Sequence, residues 1–159
     1  MRKYPFFCFT PIALALVSVL AQSQQLTVQT EAGKRTVLSR GDLEDMPHVK
    51  VTTSHNPTTF EGVALREVLE KGGIAFGESL RGKRLSSCLL VEAADGYSDV
   101  IALPEIDPAF TDKQIVLALL ENGKPLDAKT GPYRIVIPDE KRMARWVRQV
   151  TTLKIVDVQ

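Results

Sequence analysis

Apolar and polar positions along the chain change rhythm every few residues, and the changes predict short strands with a few short helices between them. Leu26, Val28 and Thr30 alternate with Thr27 and Gln29, the two-residue period of a half-buried strand. Ala32-Gly33-Lys34 makes a turn, and Thr36-Val37-Leu38 returns antiparallel. Ser39 is placed to cap a short helix running through Leu43 to Met46, which Pro47 stops. Val49 and Val51 open another extended piece that runs into the polar stretch Thr52 to Thr59. A clearer helix is predicted from near Gly62, with Leu65, Val68 and Leu69 on one face and Gly72-Gly73 closing it. A polar loop from Gly77 to Lys83 leads to an apolar strand, Cys88 to Ala93. Asp95-Gly96 is a tight-turn pair, and Tyr97 to Leu103 reads as the partner strand. Ile115 to Leu120 stays open on pattern alone. Asp112 and Gly123 would bracket a helix, while six consecutive apolar residues suit a buried strand equally well. Beyond the Asn122-Gly123 turn, Tyr133, Ile135 and Ile137 alternate with Arg134 and Val136 as a strand that Pro138 ends. Asp139 is expected to cap a short basic turn, and Val147 to Val158 forms a last strand. Strands and short helices interleave irregularly, so the fold class is α+β with a mixed β-sheet and short helices.

The first residues alter the count of what folds. Arg2 and Lys3 precede Phe6 to Ala21, a run without charge, and Val19-Leu20-Ala21 suits a signal-peptidase cut before Gln22. A helix over that run reaches about 24 Å at a rise of about 1.5 Å per residue, against about 30 Å of hydrocarbon. The expected organisation is a cleaved signal peptide over residues 1–21 and one domain over residues 22–159, placing the protein in the periplasm or outside the cell. The alternative is an uncleaved anchor. Cys8 lacks the small-residue context of a lipoprotein cut. Loss of the signal removes Cys8 and leaves Cys88 as the single thiol, so no internal disulfide is available. Cys88 reads either as a buried small hydrophobe or as a reactive or bridging thiol.

Charge narrows the partners. The chain has 20 basic and 19 acidic residues, and removing Arg2 and Lys3 leaves 18 against 19. That balance argues against nucleic acid and against a polybasic membrane surface. No Ser-His-Asp order, phosphate-cradling glycine loop or zinc spacing is present, which removes the common hydrolase classes.

From about Val37 onward, the order of short motifs resembles the molybdopterin-binding domain of the sulfite oxidase family. The motifs are Leu43-Glu44-Asp45-Met46-Pro47, Phe60-Glu61-Gly62-Val63-Ala64-Leu65, Ala94-Asp95-Gly96-Tyr97-Ser98 and Asn122-Gly123-Lys124-Pro125-Leu126, followed by Gly131 to Pro138 and Arg142-Met143-Ala144-Arg145-Trp146-Val147. The resemblance implies the fold of that domain, a strand over Ile115 to Leu120, and molybdopterin as the cofactor to consider. It also implies a molybdenum-ligating cysteine just before the aromatic-x-Gly-Val-x-Leu motif. Here that stretch is Thr52-Thr53-Ser54-His55-Asn56-Pro57-Thr58-Thr59, without cysteine. A soft thiolate suits a redox metal, and its loss weighs against turnover.

The candidate binding residues are Arg142, Arg145, Trp146, Arg134, Tyr97 and Asp95. By the resemblance, Arg142 and Arg145 correspond to the basic pair on the pterin phosphate side. A guanidinium fork suits an anion, and Trp146 beside it can stack on a ring. The competing view of Lys141, Arg142, Arg145 and Arg148 is a solvated basic face. Asp95-Gly96-Tyr97 is either part of a cleft mouth or simply a turn, and Arg134 points into the cleft or into water. His55 is one imidazole beside Ser54 and Asn56, a poor metal set, and no catalytic or metal residue is assigned. Three functions remain in view. One is a binding protein for an anionic, pterin-type molecule or a protein partner without redox turnover. Another is an oxygen-atom-transferring molybdoenzyme with a non-thiolate ligand. The third is a cofactor-free periplasmic interaction or sensory module serving a membrane protein.

Overall fold

The computed structural model describes residues 24–54 and 56–158. The expected signal peptide and His55 lie outside the described residues. Among the described residues ten strands form two five-stranded sheets.

The first sheet has the order β2-β1-β10-β5-β6, with β1 Gln25–Gln29, β2 Arg35–Ser39, β5 Ser87–Ala93, β6 Ser98–Ala102 and β10 Val150–Asp157. β1 and β10 run parallel and the other pairs antiparallel, so this sheet is mixed. Alternation along β5 buries Leu89, Val91 and Ala93 and leaves Leu90 and Glu92 half-buried on the other face.

The second sheet pairs β3 His48–Thr52 with β4 Thr59–Ala64 and β4 with β7 Val116–Glu121. β8 Lys124–Pro125 and β9 Arg134–Val136 both hydrogen-bond β7. Val116, Leu117, Ala118 and Leu119 are all fully buried. Both faces of β7 are covered, so its sequence carries no two-residue period, and the strand implied by the resemblance is the element found.

The helices are short, as expected. Ser39 caps α1, Arg40–Glu44, in a reciprocal box: its hydroxyl accepts from the Asp42 amide while the Asp42 carboxylate accepts from the Ser39 amide. α2 spans Leu65–Lys71 and buries Leu65, Val68 and Leu69. The helix expected from Gly62 therefore starts three residues later, because residues 59–64 are a strand. Gly62 shows why: a Cβ there would lie 2.1 Å from the Leu117 carbonyl oxygen, so the residue is fixed by close strand approach at the β4 bulge. The cap expected at Asp139 is also corrected. The tight 3-10 turn at Met143–Arg145 begins after Arg142, without a side-chain cap.

Buried side chains of both sheets and α2 join in one hydrophobic cluster, so the two sheets share a core. No helix among the described residues is long and apolar enough to cross a membrane.

Candidate functional site

The segment between β9 and β10 folds back along β9. The Ile135 amide donates to the Val147 carbonyl at 2.9 Å and the Val150 amide to the Tyr133 carbonyl at 3.0 Å. This pairing sets Trp146 beside Arg134. The guanidinium carbon of Arg134 lies 5.4 Å from the ring centres of both Phe60 and Trp146, and those two rings meet edge-on at 5.8 Å. The cation lies beside this edge-on pair, within cation–aromatic distance of both rings.

Arg134 and Trp146 lie between two hollows. One, of about 390 Å³, is lined by Asp95, Tyr97, Arg134, Met143, Ala144, Trp146 and Arg148. The other, of about 280 Å³, shares Arg134, Met143 and Trp146 and adds Thr53, Asn56, Thr58, Phe60, Glu121, Glu140 and Lys141. The first has two arginines against one carboxylate, an excess of positive charge. The second balances Arg134 and Lys141 against Glu121 and Glu140.

Two buried donors in this wall are unsatisfied: Arg134 Nε and Trp146 Nε1 have no hydrogen-bond partner among the described residues. No carboxylate among the described residues makes an ion pair with Arg134 either. Burial lowers its pKa from the ordinary arginine value; Glu121 opposes that effect and Arg148 adds to it. Arginine stays protonated through such a shift, so the wall carries a desolvated cation without a close counter-ion.

Asp95 and Tyr97 serve both readings made of them. The Tyr97 amide donates to Asp95 Oδ1 at 3.0 Å and Gly96 sits at φ 86°, the local bonding of a tight turn. The same turn presents both side chains to the first hollow, and the Tyr97 hydroxyl donates to the Ala144 carbonyl at 2.8 Å. Four of the six expected residues, Asp95, Tyr97, Arg134 and Trp146, thus meet in one cleft. Arg142 is exposed and lines neither hollow. Arg145 turns away: its guanidinium reaches Asp99 at 3.1 Å, Glu140 at 2.8 Å and Glu105 at 3.5 Å. The basic cluster is split by this arrangement, with Arg148 in the first hollow and Lys141 in the second.

Residues 52–159 match the family model described as "Oxidoreductase molybdopterin binding domain". The chain belongs to that family. The sulfane dehydrogenase SoxCD of Paracoccus pantotrophus has a similar fold, with a TM-score of 0.67 at 19% identity. That similarity covers 84% of this chain and 38% of the SoxCD chain, so the present chain spans well under half of that protein's length. Among curated proteins none matches the chain.

The donor set at the two hollows does not fit a protein-held molybdenum. Carboxylates, hydroxyls, an amide and the Met143 thioether line them, and no thiol does. Cys88 lies on β5, opposite Ala102 and Val156, with its sulfur 3.8 Å from the Ser86 carbonyl. Among the described residues no group of three His, Cys, Asp or Glu side chains is arranged to hold a metal ion. His48 lies elsewhere, 3.6 Å from Glu61.

Sequence reasoning missed Phe60 as a cleft residue and Met143 as part of the wall. Phe60 was visible only as the aromatic of the motif before Gly62. Met143 carried no signal beyond standing between Arg142 and Trp146.

Proposed function

We propose that this family member is a binding protein that holds an anionic, pterin-type small molecule in the cleft between Arg134, Arg148, Tyr97 and Trp146, without redox turnover. The observation that carries the reading is Arg134: a half-buried cation on the wall of both hollows, beside two aromatic rings and with no ion pair among the described residues. A buried charge is costly unless something pairs with it. An anionic ligand would supply that partner, and a planar ring would rest against the aromatic and thioether surface of Trp146, Tyr97 and Met143. The missing thiol supports the absence of oxygen-atom transfer, since the lining offers no thiolate to a redox metal and only one neutral thioether, Met143.

Titration with pterin-6-carboxylate and, separately, pyrophosphate tests this, followed by melting temperature and by fluorescence of Trp146, the only tryptophan. Binding lost in Arg134→Ala and weakened in Arg148→Ala is the expected result. Stoichiometric molybdenum in protein from a cofactor-making host would overturn the non-redox half.

A second reading has its own observation: Tyr97, Val100 and Met143, on the cleft's mouth and the neighbouring β6, are 48%, 48% and 60% exposed. A protein partner covering that side would bury them, and co-purification of an exported or membrane protein without any anion effect would favour it. We further propose export, from the charged start and the apolar run to Ala21; an amino terminus at Gln22 in periplasmic or culture fractions is the expected outcome.

A further inference from the structure

Met143, Ala144 and Trp146 reach the cleft from a loop with little regular structure, so something must hold that loop in place. Arg145, between them, faces the other way. Its Nε donates to Asp99 Oδ2 at 3.1 Å, its Nη1 to Glu140 Oε1 at 2.8 Å and its Nη2 to the Val100 carbonyl at 3.3 Å. Glu105, from the turn after β6, adds a carboxylate 3.5 Å from Nη1 and is itself held by Lys113 at 3.2 Å. One guanidinium therefore ties β6, the turn beyond it and both ends of the 140–145 segment together. A second tie, Tyr97 to the Ala144 carbonyl, joins the same loop to the β5–β6 turn.

We propose that Arg145 is the positioning residue of the cleft, a clamp that presents Trp146 and Met143 to the ligand without touching it. The proposal rests on the binding reading above and refines it. An anion approaching Arg145 would meet three carboxylates already arranged around it, which makes direct anion contact the weaker role. Isolated surface ion pairs contribute little, but one planar fork engaging several acids in a shared network loses less side-chain freedom per contact and holds a defined geometry.

The test uses the full chain and acrylamide quenching of Trp146 without ligand, alongside affinity for pterin-6-carboxylate. Arg145→Gln is expected to raise the quenching constant on the order of threefold, as a locally opened loop exposes the indole. Its affinity should fall by about tenfold, the factor that about 1.4 kcal/mol represents. Arg145→Lys should fall between the two, because a point charge cannot span the acids. Arg142→Gln, on the exposed neighbour, should leave quenching unchanged. If Arg145→Gln does not fold, Asp99→Asn loosens the same clamp from β6, outside the cleft, and should move quenching in the same direction. A folded Arg145→Gln with wild-type quenching would overturn the clamp, and weakened affinity with unchanged quenching would instead make Arg145 a ligand contact. If the wild-type chain binds no probe, the binding reading fails and the quenching ratios alone decide the clamp.

Discussion

Replacing Arg134 by methionine should abolish binding while leaving the fold as stable as before, or slightly more so. In the folded chain Arg134 makes two aromatic contacts, each at 5.4 Å to the ring centre, and leaves Nε buried without a partner. Cation–aromatic contacts contribute about 0.5–1 kcal/mol each when exposed and about 2 when desolvated. A buried unsatisfied donor costs about 1–3 kcal/mol. Methionine removes that donor and the desolvated charge, and its thioether restores about 0.3–1.5 kcal/mol against the same rings. Taken at mid-range the opposing terms nearly cancel, leaving on the order of 0.5 kcal/mol of added stability. For a domain of this size that is a rise in Tm of at most about 4 °C. Calorimetry of the two proteins, with pterin-6-carboxylate titrated into each, checks both halves. A fall in Tm of more than about 3 °C with anion binding intact would refute the reasoning, since Arg134 would then be a structural strut and not a binding cation.

Other perturbations separate structure from site. Gly62→Ala should destabilise by about 3 kcal/mol or more and lower Tm by about 10 °C, because its new Cβ would meet the Leu117 carbonyl oxygen at 2.1 Å and the Ala118 Cα at 2.8 Å, both backbone. Gly41→Ala, whose Cβ would meet only Ser39 Oγ at 3.8 Å inside α1, should stabilise by about 0.5–1 kcal/mol in the same thermal scan. Asp107→Ala should cost about 2–3 kcal/mol by denaturant unfolding, since the buried carboxylate accepts from the Gly77 amide at 2.6 Å and the Ala109 amide at 3.0 Å and lies 3.6 Å from Arg66. The clamp should also respond to acid. Burial acts on Glu105 to raise its pKa, but the bond from Lys113 and the field of Arg145 outweigh it and hold the carboxyl below 4.5. Its stabilising contribution is therefore complete above that value and lost as pH falls through the lowered one. Quenching of Trp146 should stay flat from about pH 7 to 5 and rise only below the ordinary carboxylate range; a rise near neutrality would point to other groups.

The sheet with one buried face was legible wherever burial alternates. β1, β2 and β5 follow their two-residue patterns, and Ser39 with Asp42 marks α1 because a capping box is local chemistry. β4 was not legible as a strand. Its Gly62-Val63-Ala64 stretch sits against β3 on one edge and β7 on the other, and glycine, valine and alanine do not distinguish that setting from the first turn of a helix. β7 was ambiguous for the opposite reason: being buried on both faces removes the alternation that identifies a strand. Neither outcome follows from local propensity, because each is decided by what lies across the core.

Residue type nominates all four arginines alike, and the fold separates them by their partners. Arg134, Arg142, Arg145 and Arg148 carry the same charge and the same donors, and nothing in their spacing separates an anion contact from a clamp. The separation comes from partners distant in sequence. Phe60 and Trp146 lie together beside Arg134, whereas Asp99 and Glu105 meet Arg145 from β6 and the turn beyond it. An arginine ringed by acids has its charge satisfied within the protein, and one ringed by aromatic faces does not. By that criterion the binding reading favours the cation on β9 over the basic pair that the family motif brought forward. Tyr97 lines one of the two hollows that meet at Arg134, and Thr53, Asn56 and Thr58 line the other. On the binding reading, a ligand at Arg134 would lie next to the stretch where the resemblance implies a thiolate and this chain has none, so the groups proposed to hold an anion do not depend on that donor.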